Sequence, residues 1–175
     1  MTSLIVTPRF ELRELEPGDL DFVAAMLIDP DVMRFAPAPY TREEAAAWLE
    51  RQQARYVERG YGLWLTREWQ SGQPCGTIGL LDQVVDGRRE LEVAYIVHRP
   101  YWGRGVATEA AAAVRDYAWR TQHPRRLLAL VRPDNPAAAA VATKLGMRAD
   151  STTIQDGVTY RVFQLPAPGA DSSAA

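Results

Sequence analysis

The sequence predicts an α+β domain built on a mostly antiparallel sheet flanked by helices. Two Asp-Gly pairs, Asp86–Gly87 and Asp156–Gly157, sit between segments of alternating apolar and polar residues, the mark of antiparallel hairpins. Other stretches carry helix start and stop signals, the cleanest opening at Thr41 and closing at Gly60. Hairpins outnumber strand–helix–strand crossovers, which makes the sheet mostly antiparallel.

The elements follow in order. "RFELREL" sets Phe10 and Leu12, and after a slip Leu15, among charged residues, as a half-buried strand would. "EPGDLDFVAAMLID" has Pro17 where a first helical turn tolerates it and Leu20, Val23, Met26 and Leu27 at helical spacing. "PDVMRFAPAPY" is too rich in proline for a long element and reads as an ordered loop. In "TREEAAAWLERQQARYVERG", Thr41 and Glu44 form a capping box, Ala45, Trp48, Leu49 and Tyr56 form a stripe, and Gly60 ends the helix.

"YGLWLT" and "GTIGLLDQVV" read as strands joined through "WQSGQP", and the first Asp-Gly turn leads into a third, "RRELEVAYIV". An alanine-rich helix follows Gly105, then a short apolar strand, "RRLLALVRP". "DNPAAAAVATKLG" is a second alanine-rich helix, with Asn135 as N-cap, Pro136 at the first helical position and Gly146 at its end. A last pair of strands ends near Leu165, so residues 1–165 form a single domain. "PAPGADSSAA", residues 166–175, has little to bury and is expected to be a disordered tail.

Composition narrows the function. The 175 residues are 47% hydrophobic, which suits one domain with a sizeable core. No apolar run approaches the roughly 20 residues of a membrane helix, and "MTSLIVTPRF" lacks the pattern of a signal peptide. A cytoplasmic protein without a membrane partner is expected. Cys75 is the only cysteine and there are two histidines, which excludes an internal disulfide and any multi-cysteine metal site, and no metal is expected. The net charge is −2 and no basic run exceeds a pair such as Arg88–Arg89 or Arg125–Arg126, which argues against a nucleic-acid partner.

The most informative stretch is "IVHRPYWGRGVATEAAAAVRDYAW", where a strand hands over to a helix through two glycines. A helix N-terminus presents unpaired N–H groups and the positive end of its dipole, a ready site for phosphate. Gly103 and Gly105 let the backbone approach a ligand, Arg104 adds charge, and Trp102 and Tyr101 add flat surface. The spacing by itself is also what a tight turn needs. It lacks a third glycine for a dinucleotide fingerprint, position 108 being Thr108, and a lysine for a P-loop. Pro100 disfavours continued strand pairing, so the strand before it could leave its neighbour and open a slot for an extended ligand.

"ELEVAYIVHRPYWGRGVATEA" resembles the central motif of the GNAT N-acetyltransferases, and "VRPDNPAAAAVATKLGM" resembles their following motif. The Tyr-Trp-Gly-x-Gly-x-Ala-Thr-Glu-Ala run and the opening "TPRFELRELEPGDLDFVAAMLIDPDVMRF" are similar to the RimJ/RimL-like branch, and the resemblance covers residues 8–165. It implies a sheet splayed at the central strand with acetyl-CoA as co-substrate. The backbone of Ile96, Val97 and His98 would pair with the pantetheine arm. Amides of Trp102, Gly103, Arg104, Gly105, Val106, Ala107 and Thr108 would hold the pyrophosphate, and Asn135 would touch the pantetheine or acetyl region. The chain departs from the motif at Pro100, where Gln or Arg is usual, at Ala138 in place of a frequent serine, and at Ala142 in place of a tyrosine general acid.

Acetyl transfer to an amine needs a neutral amine and a polarised thioester, and no covalent enzyme intermediate. The resemblance points to Glu92 as candidate general base or water positioner; equally, Glu90 and Glu92 fit the solvated face of an amphipathic strand. Glu109, in the first turn of its helix, reads as structural, and Tyr95 as a core aromatic. Tyr101, Thr143 and Tyr160 are further proton donors by chemistry alone. The family's acceptor pocket would recruit Phe35, Tyr40 and Trp64, although aromatics at such spacing also suit a core.

The expectation is therefore an acyltransferase that moves acetyl from acetyl-CoA to an amine in a ternary complex. The acceptor would be a protein N-terminal α-amino group or a small-molecule amine. A non-catalytic acetyl-CoA-binding module and an unrelated nucleotide-binding domain are the rivals. An exposed sheet edge would suit a homodimer.

Overall fold

The computed structural model describes residues 4–169 and carries one eight-stranded sheet. In chain order the elements are β1 Ile5–Val6, β2 Phe10–Arg13, α1 Leu20–Ile28, α2 Arg42–Arg59, β3 Leu63–Glu68, β4 Pro74–Val85 and β5 Arg88–Val97. They continue with α3 Val106–Thr121, β6 Arg126–Val131, α4 Pro136–Lys144, β7 Arg148–Gln155 and β8 Val158–Pro166. The sheet order is β1-β2-β3-β4-β5-β6-β8-β7, and among the described residues the only parallel neighbours are β5 and β6. The mixed, mostly antiparallel architecture expected from the hairpins is the one observed.

Local chemistry sets the boundaries. The Thr41 hydroxyl accepts from the Glu44 N–H at 3.2 Å, and the Glu44 carboxylate accepts from the Thr41 N–H at 2.7 Å, closing the capping box of α2. Gly60 ends that helix at φ 76°. Pro17 opens a short 3-10 turn, Pro17–Asp19, rather than α1 itself. There the Arg13 guanidinium binds both Asp19 carboxylate oxygens at 2.8 Å. The two-residue β1 is an addition: two residues give no alternation to read.

Sheet parity sorts the side chains. Trp64, Ile78 and Tyr95 lie opposite one another in register and so share a face. The Trp64 ring meets Tyr117 of α3 edge-on at 5.2 Å, and the Tyr95 hydroxyl donates to the Ala138 carbonyl of α4 at 2.8 Å. Both C-terminal helices therefore cover this face. Helices α1 and α2 pack on each other away from α3, and the Tyr56 hydroxyl of α2 donates to the Leu63 carbonyl at 2.5 Å. Glu92 points to the face opposite α3 and α4, with its register partners Leu81 and Leu128.

The parallel pair is short. Only Leu91 with Leu127 and Glu92 with Leu128 are matched, although β5 runs on to Val97 and β6 to Val131. The loss of pairing shows in exposure: Leu91, Glu92 and Val93 are buried, whereas the five residues from Ala94 to His98 are half-buried. At the chain end, β8 runs through Pro166 and the Ala167 N–H bonds the Arg125 carbonyl at 2.9 Å. Residues 166–169 of the expected tail thus continue ordered chain, and residues 170–175 lie outside the described residues.

Candidate functional site

Where β5 leaves β6, its backbone on that side has no strand partner among the described residues. The His98 N–H bonds the Cys75 carbonyl of β4 at 2.8 Å, so by antiparallel alternation Ile96 also turns its backbone to β4. The residues that turn theirs into the slot are Tyr95 and Val97. The Val97 carbonyl there accepts from Trp102 Nε1 at 2.8 Å. This corrects the expected backbone set of Ile96, Val97 and His98. Val97 stays, Tyr95 joins it, and the backbones of Ile96 and His98 face β4 instead. The signal for this was the register, which depends on β4.

At the mouth of the slot the chain makes a 3-10 turn, Arg99–Tyr101, and enters α3. Gly103 and Gly105 hold φ of 73° and 78°, the left-handed region that other residues enter at a cost. Gly105 is the N-cap of α3 and offers no side-chain cap, whereas α2 and α4 are capped by Thr41 and Asn135. The first intrahelical bond comes from the Glu109 N–H to the Gly105 carbonyl at 3.0 Å. The N–H groups of Val106, Ala107 and Thr108 are thus left facing outward with the positive end of the dipole. Arg104 lies beside them, its guanidinium 5.3 Å over the Tyr101 ring. A Cβ at Gly103 would meet nothing within 4 Å, so the cradle is open to a ligand.

The cradle is held from beneath by residues a hundred positions away. The Glu109 carboxylate accepts from the Thr7 hydroxyl at 2.8 Å, the Arg9 N–H at 3.0 Å and Arg9 Nε at 2.6 Å. Arg9 Nη1 also donates to the Arg104 carbonyl at 2.9 Å. Partial burial pulls the Glu109 carboxyl up, but the hydrogen bonds from Thr7 and Arg9 outweigh it and hold it below its ordinary value. Its charge is turned to Arg9, away from the free N–H groups. Only the position of Glu109 in a first helical turn was visible in sequence.

Glu92 lies at the fork itself. Its Oε1 accepts the Leu130 N–H at 3.0 Å and its Oε2 accepts from Gln83 Nε2 at 2.7 Å. It is buried, and the loss of solvation raises its proton affinity above that of an ordinary carboxylate despite those two bonds. The reading of Glu92 as one of a solvated stripe is therefore corrected: the departing β6 and the Gln83 side chain enclose it. Glu90 is bound to Arg126 at 2.7 Å.

The loop between α1 and α2 spans the mouth of the slot. Arg99, just past β5, binds Asp29 at 2.9 Å and Asp31 at 3.2 Å, and Arg132, just past β6, donates to the Phe35 carbonyl at 3.5 Å. Phe35 and Tyr40 are half-buried in this loop. Trp64 is not: it is fully buried beneath Tyr117 on the α3 face, which corrects its assignment to the acceptor pocket. Both of its neighbours in the strand are also buried, so nothing local in "YGLWLT" told an apolar lining from an apolar core.

The remaining candidates are placed as follows. Asn135 Oδ1 caps α4 through the Ala138 N–H at 3.1 Å, leaving its amide nitrogen for other contacts. Ala142 is fully buried, and Thr143 bonds back to the Ala139 carbonyl at 2.9 Å. The His98 ring packs edge-on against Phe22 at 5.5 Å, and burial lowers its pKa. Burial pushes the Cys75 thiol up to about 11, so it is a poor nucleophile.

An uncapped helix end with two left-handed glycines, at the mouth of a forked parallel pair, is a place for an extended phosphorylated cofactor. The GNAT acetyltransferase domain matches residues 9–148. The chain belongs to that family. The Bacillus subtilis protein YkkB is 32% identical to it over 151 residues, covering 85% of this chain and 87% of YkkB. The Bacillus subtilis protein YnaD, described as an uncharacterized N-acetyltransferase, is 27% identical over 145 residues, covering 82% of each chain. An acetyltransferase from Agrobacterium tumefaciens superposes with a TM-score of 0.81 at 26% identity, covering 94% of each chain. RimL, a ribosomal alpha-N-protein acetyltransferase solved with coenzyme A, shares the fold, with a TM-score of 0.74 at 14% identity, covering 94% of this chain and 98% of that one. The GNAT chain is thus an acyltransferase. No helix among its described residues is long and apolar enough to cross a membrane.

Proposed function

We propose that this protein transfers the acetyl group of acetyl-CoA to an amine by direct attack in a ternary complex, without a covalent enzyme intermediate. The observation that carries the reading is the fork between β5 and β6, opening onto the uncapped N-terminus of α3. The N–H groups of Val106, Ala107 and Thr108, with the Gly103–Gly105 backbone and Arg104, hold the pyrophosphate. The edge of β5 at Tyr95 and Val97, beyond its pairing with β6, lies along the pantetheine arm as an added strand would. A β5 N–H near the fork is the donor for the thioester oxygen as charge develops there.

Glu92 is the base or water positioner. Its raised proton affinity suits accepting an ammonium proton, and each carboxylate oxygen keeps a lone pair beyond its present bond. The thiolate leaves without a dedicated acid, since a free thiol has a pKa of roughly 8.5, and Ala142 offers none. The acceptor enters under the loop carrying Phe35 and Tyr40. A protein N-terminal α-amino group is the favoured acceptor, because the shared fold of RimL, whose name describes that chemistry, supports the RimJ/RimL-like branch; a small-molecule amine is the other class to screen. The reading places the protein in the cytoplasm with its acetyl-CoA supply.

Titration calorimetry with acetyl-CoA tests the cradle. Binding by the parent, and its loss in Arg104→Glu and Gly105→Glu variants of unchanged fold, support the reading; no binding by the parent overturns it. Thiol release with an amine and peptide panel then tests turnover, with acetyl-CoA bound but no acceptor-dependent release pointing to a binding module. Glu92→Gln should lower turnover at saturating acetyl-CoA by about 100-fold with an unchanged Kd. An unchanged rate removes Glu92 from the chemistry.

A further inference from the structure

A second concave site lies at the opposite end of β5. It holds about 830 Å³ and is lined by Arg59, Arg88, Arg89, Arg125 and Arg126, with Leu91 and Pro124 among its apolar residues. Glu90, on the groove, and Val97, at the slot mouth, both lie on β5, so the two sites are separated by about 20 Å of strand at roughly 3.3 Å per residue. Helix α3 spans the same interval, its uncapped end at the cradle and its last turn, at Gln122, on the groove.

Five arginines face two carboxylates in this groove, in a chain whose net charge is −2. Arg126 is held in place: it binds Glu90 at 2.7 Å and the Gln164 amide oxygen at 2.7 Å. Arg59 is drawn to Asp82 at 3.4 Å, which also accepts from the Tyr61 hydroxyl at 3.0 Å. Both carboxylates are thereby engaged. The side chains of Arg88, Arg89 and Arg125 make no hydrogen bond or ion pair among the described residues. The carbonyl end of α3 offsets part of this charge, but a helix end carries only about half an elementary charge. Like charges gathered around a concave surface repel one another and focus a field that draws in anions.

We propose that this groove binds a small metabolite carrying two or more phosphate groups, at a site separate from the acetyl-CoA slot. The enclosed volume falls in the range of small-molecule pockets and is unlike the broad basic face of a nucleic-acid binder. Planar guanidinium forks bind phosphate oxygens in pairs, and three free ones match a ligand of several phosphates rather than one. The two arginine pairs belong to the starts of β5 and β6, the strands whose far ends fork around the slot. A ligand that bridges them ties together the closed end of the same fork.

The test is calorimetry with inorganic triphosphate on the full chain saturated with acetyl-CoA, so that the cradle is filled. One triphosphate should bind per chain. Arg88→Ala and Arg125→Ala, at exposed side chains without partners, should each weaken it about tenfold or more with an unchanged melting temperature. Arg104→Glu, whose cradle is disabled and which is therefore titrated without acetyl-CoA, should still bind one triphosphate with the parent's affinity. Absence of binding, binding abolished by acetyl-CoA, or binding indifferent to both groove substitutions would overturn the proposal. Citrate in a parallel arm separates the chemistries: citrate binding without triphosphate binding replaces phosphate by carboxylate. An oligonucleotide that binds more tightly than triphosphate through the same arginines would replace the metabolite by nucleic acid.

Discussion

The Glu92 carboxylate accepts the Leu130 N–H at 3.0 Å where β5 and β6 cease to pair. Glu92 itself is matched with Leu128, two residues earlier on β6. The side chain thus takes over from the backbone ladder as the strands separate, and gives the part-buried Leu130 N–H an acceptor. One residue sets the geometry of the fork and brings a carboxylate to it.

That placement gives a pH-dependent stability. Burial raises the folded-state proton affinity of Glu92 above its ordinary value of 4.5. The folded protein then holds this proton more tightly than the unfolded chain, so its contribution is full at low pH and is lost as pH rises through the folded value. Glu92→Gln cannot ionise and keeps an acceptor for Leu130. Its melting temperature relative to the parent should therefore improve as pH is raised above the ordinary carboxylate value of 4.5. A difference that stays constant across that range would show that Glu92 does not titrate there.

The Glu109 staple has the opposite sign. Its folded-state pKa is lowered, so its contribution is present above the unfolded value and lost as pH falls through the folded one. Glu109→Ala leaves the Thr7 hydroxyl and Arg9 N–H to water. It should cost about 1 kcal/mol at neutral pH and lower the melting temperature by about 2–4 °C for a domain of this size. The gap between variant and parent should close on acidification. The same variant should weaken acetyl-CoA binding, because Arg9 then no longer anchors the Arg104 carbonyl.

Gly105→Ala tests the left-handed cap. At φ 78° a Cβ costs about 1–2 kcal/mol, and here it would sit 3.1 Å from Arg9 Nη2. Denaturant unfolding should show that loss and calorimetry a weaker acetyl-CoA complex. Full stability would mean that the turn tolerates a side chain.

Ala142→Tyr restores the residue type usual at that position in the resembling motif. Ala142 has no exposed surface, so the ring cannot be added without displacing α4. The variant should lose about 1–3 kcal/mol and gain no turnover. A faster enzyme would show that α4 can shift to present a tyrosine acid.

Much of this protein follows from its sequence. The capping box at Thr41, the left-handed Gly60, the Asp-Gly hairpins and the Asn135 cap are short-range devices, complete within a few residues, and each is found where the sequence places it. The glycine pair before α3 is of the same kind, because an uncapped helix end is made by the residues beside it.

What the tertiary structure alone decided depends on partners far apart in the chain. The pairing of β5 with β4 fixed which backbone groups of Tyr95 to His98 face the slot, because alternation is defined only against a partner strand. Packing of α3 sealed Trp64 into the core, and the fork enclosed Glu92. The parallel register of β5 and β6 brought Arg88–Arg89 beside Arg125–Arg126, two unremarkable pairs in sequence that become one charged groove in space. Local geometry is set by the chain's own neighbours, whereas charge and burial are sums over everything that folding brings near.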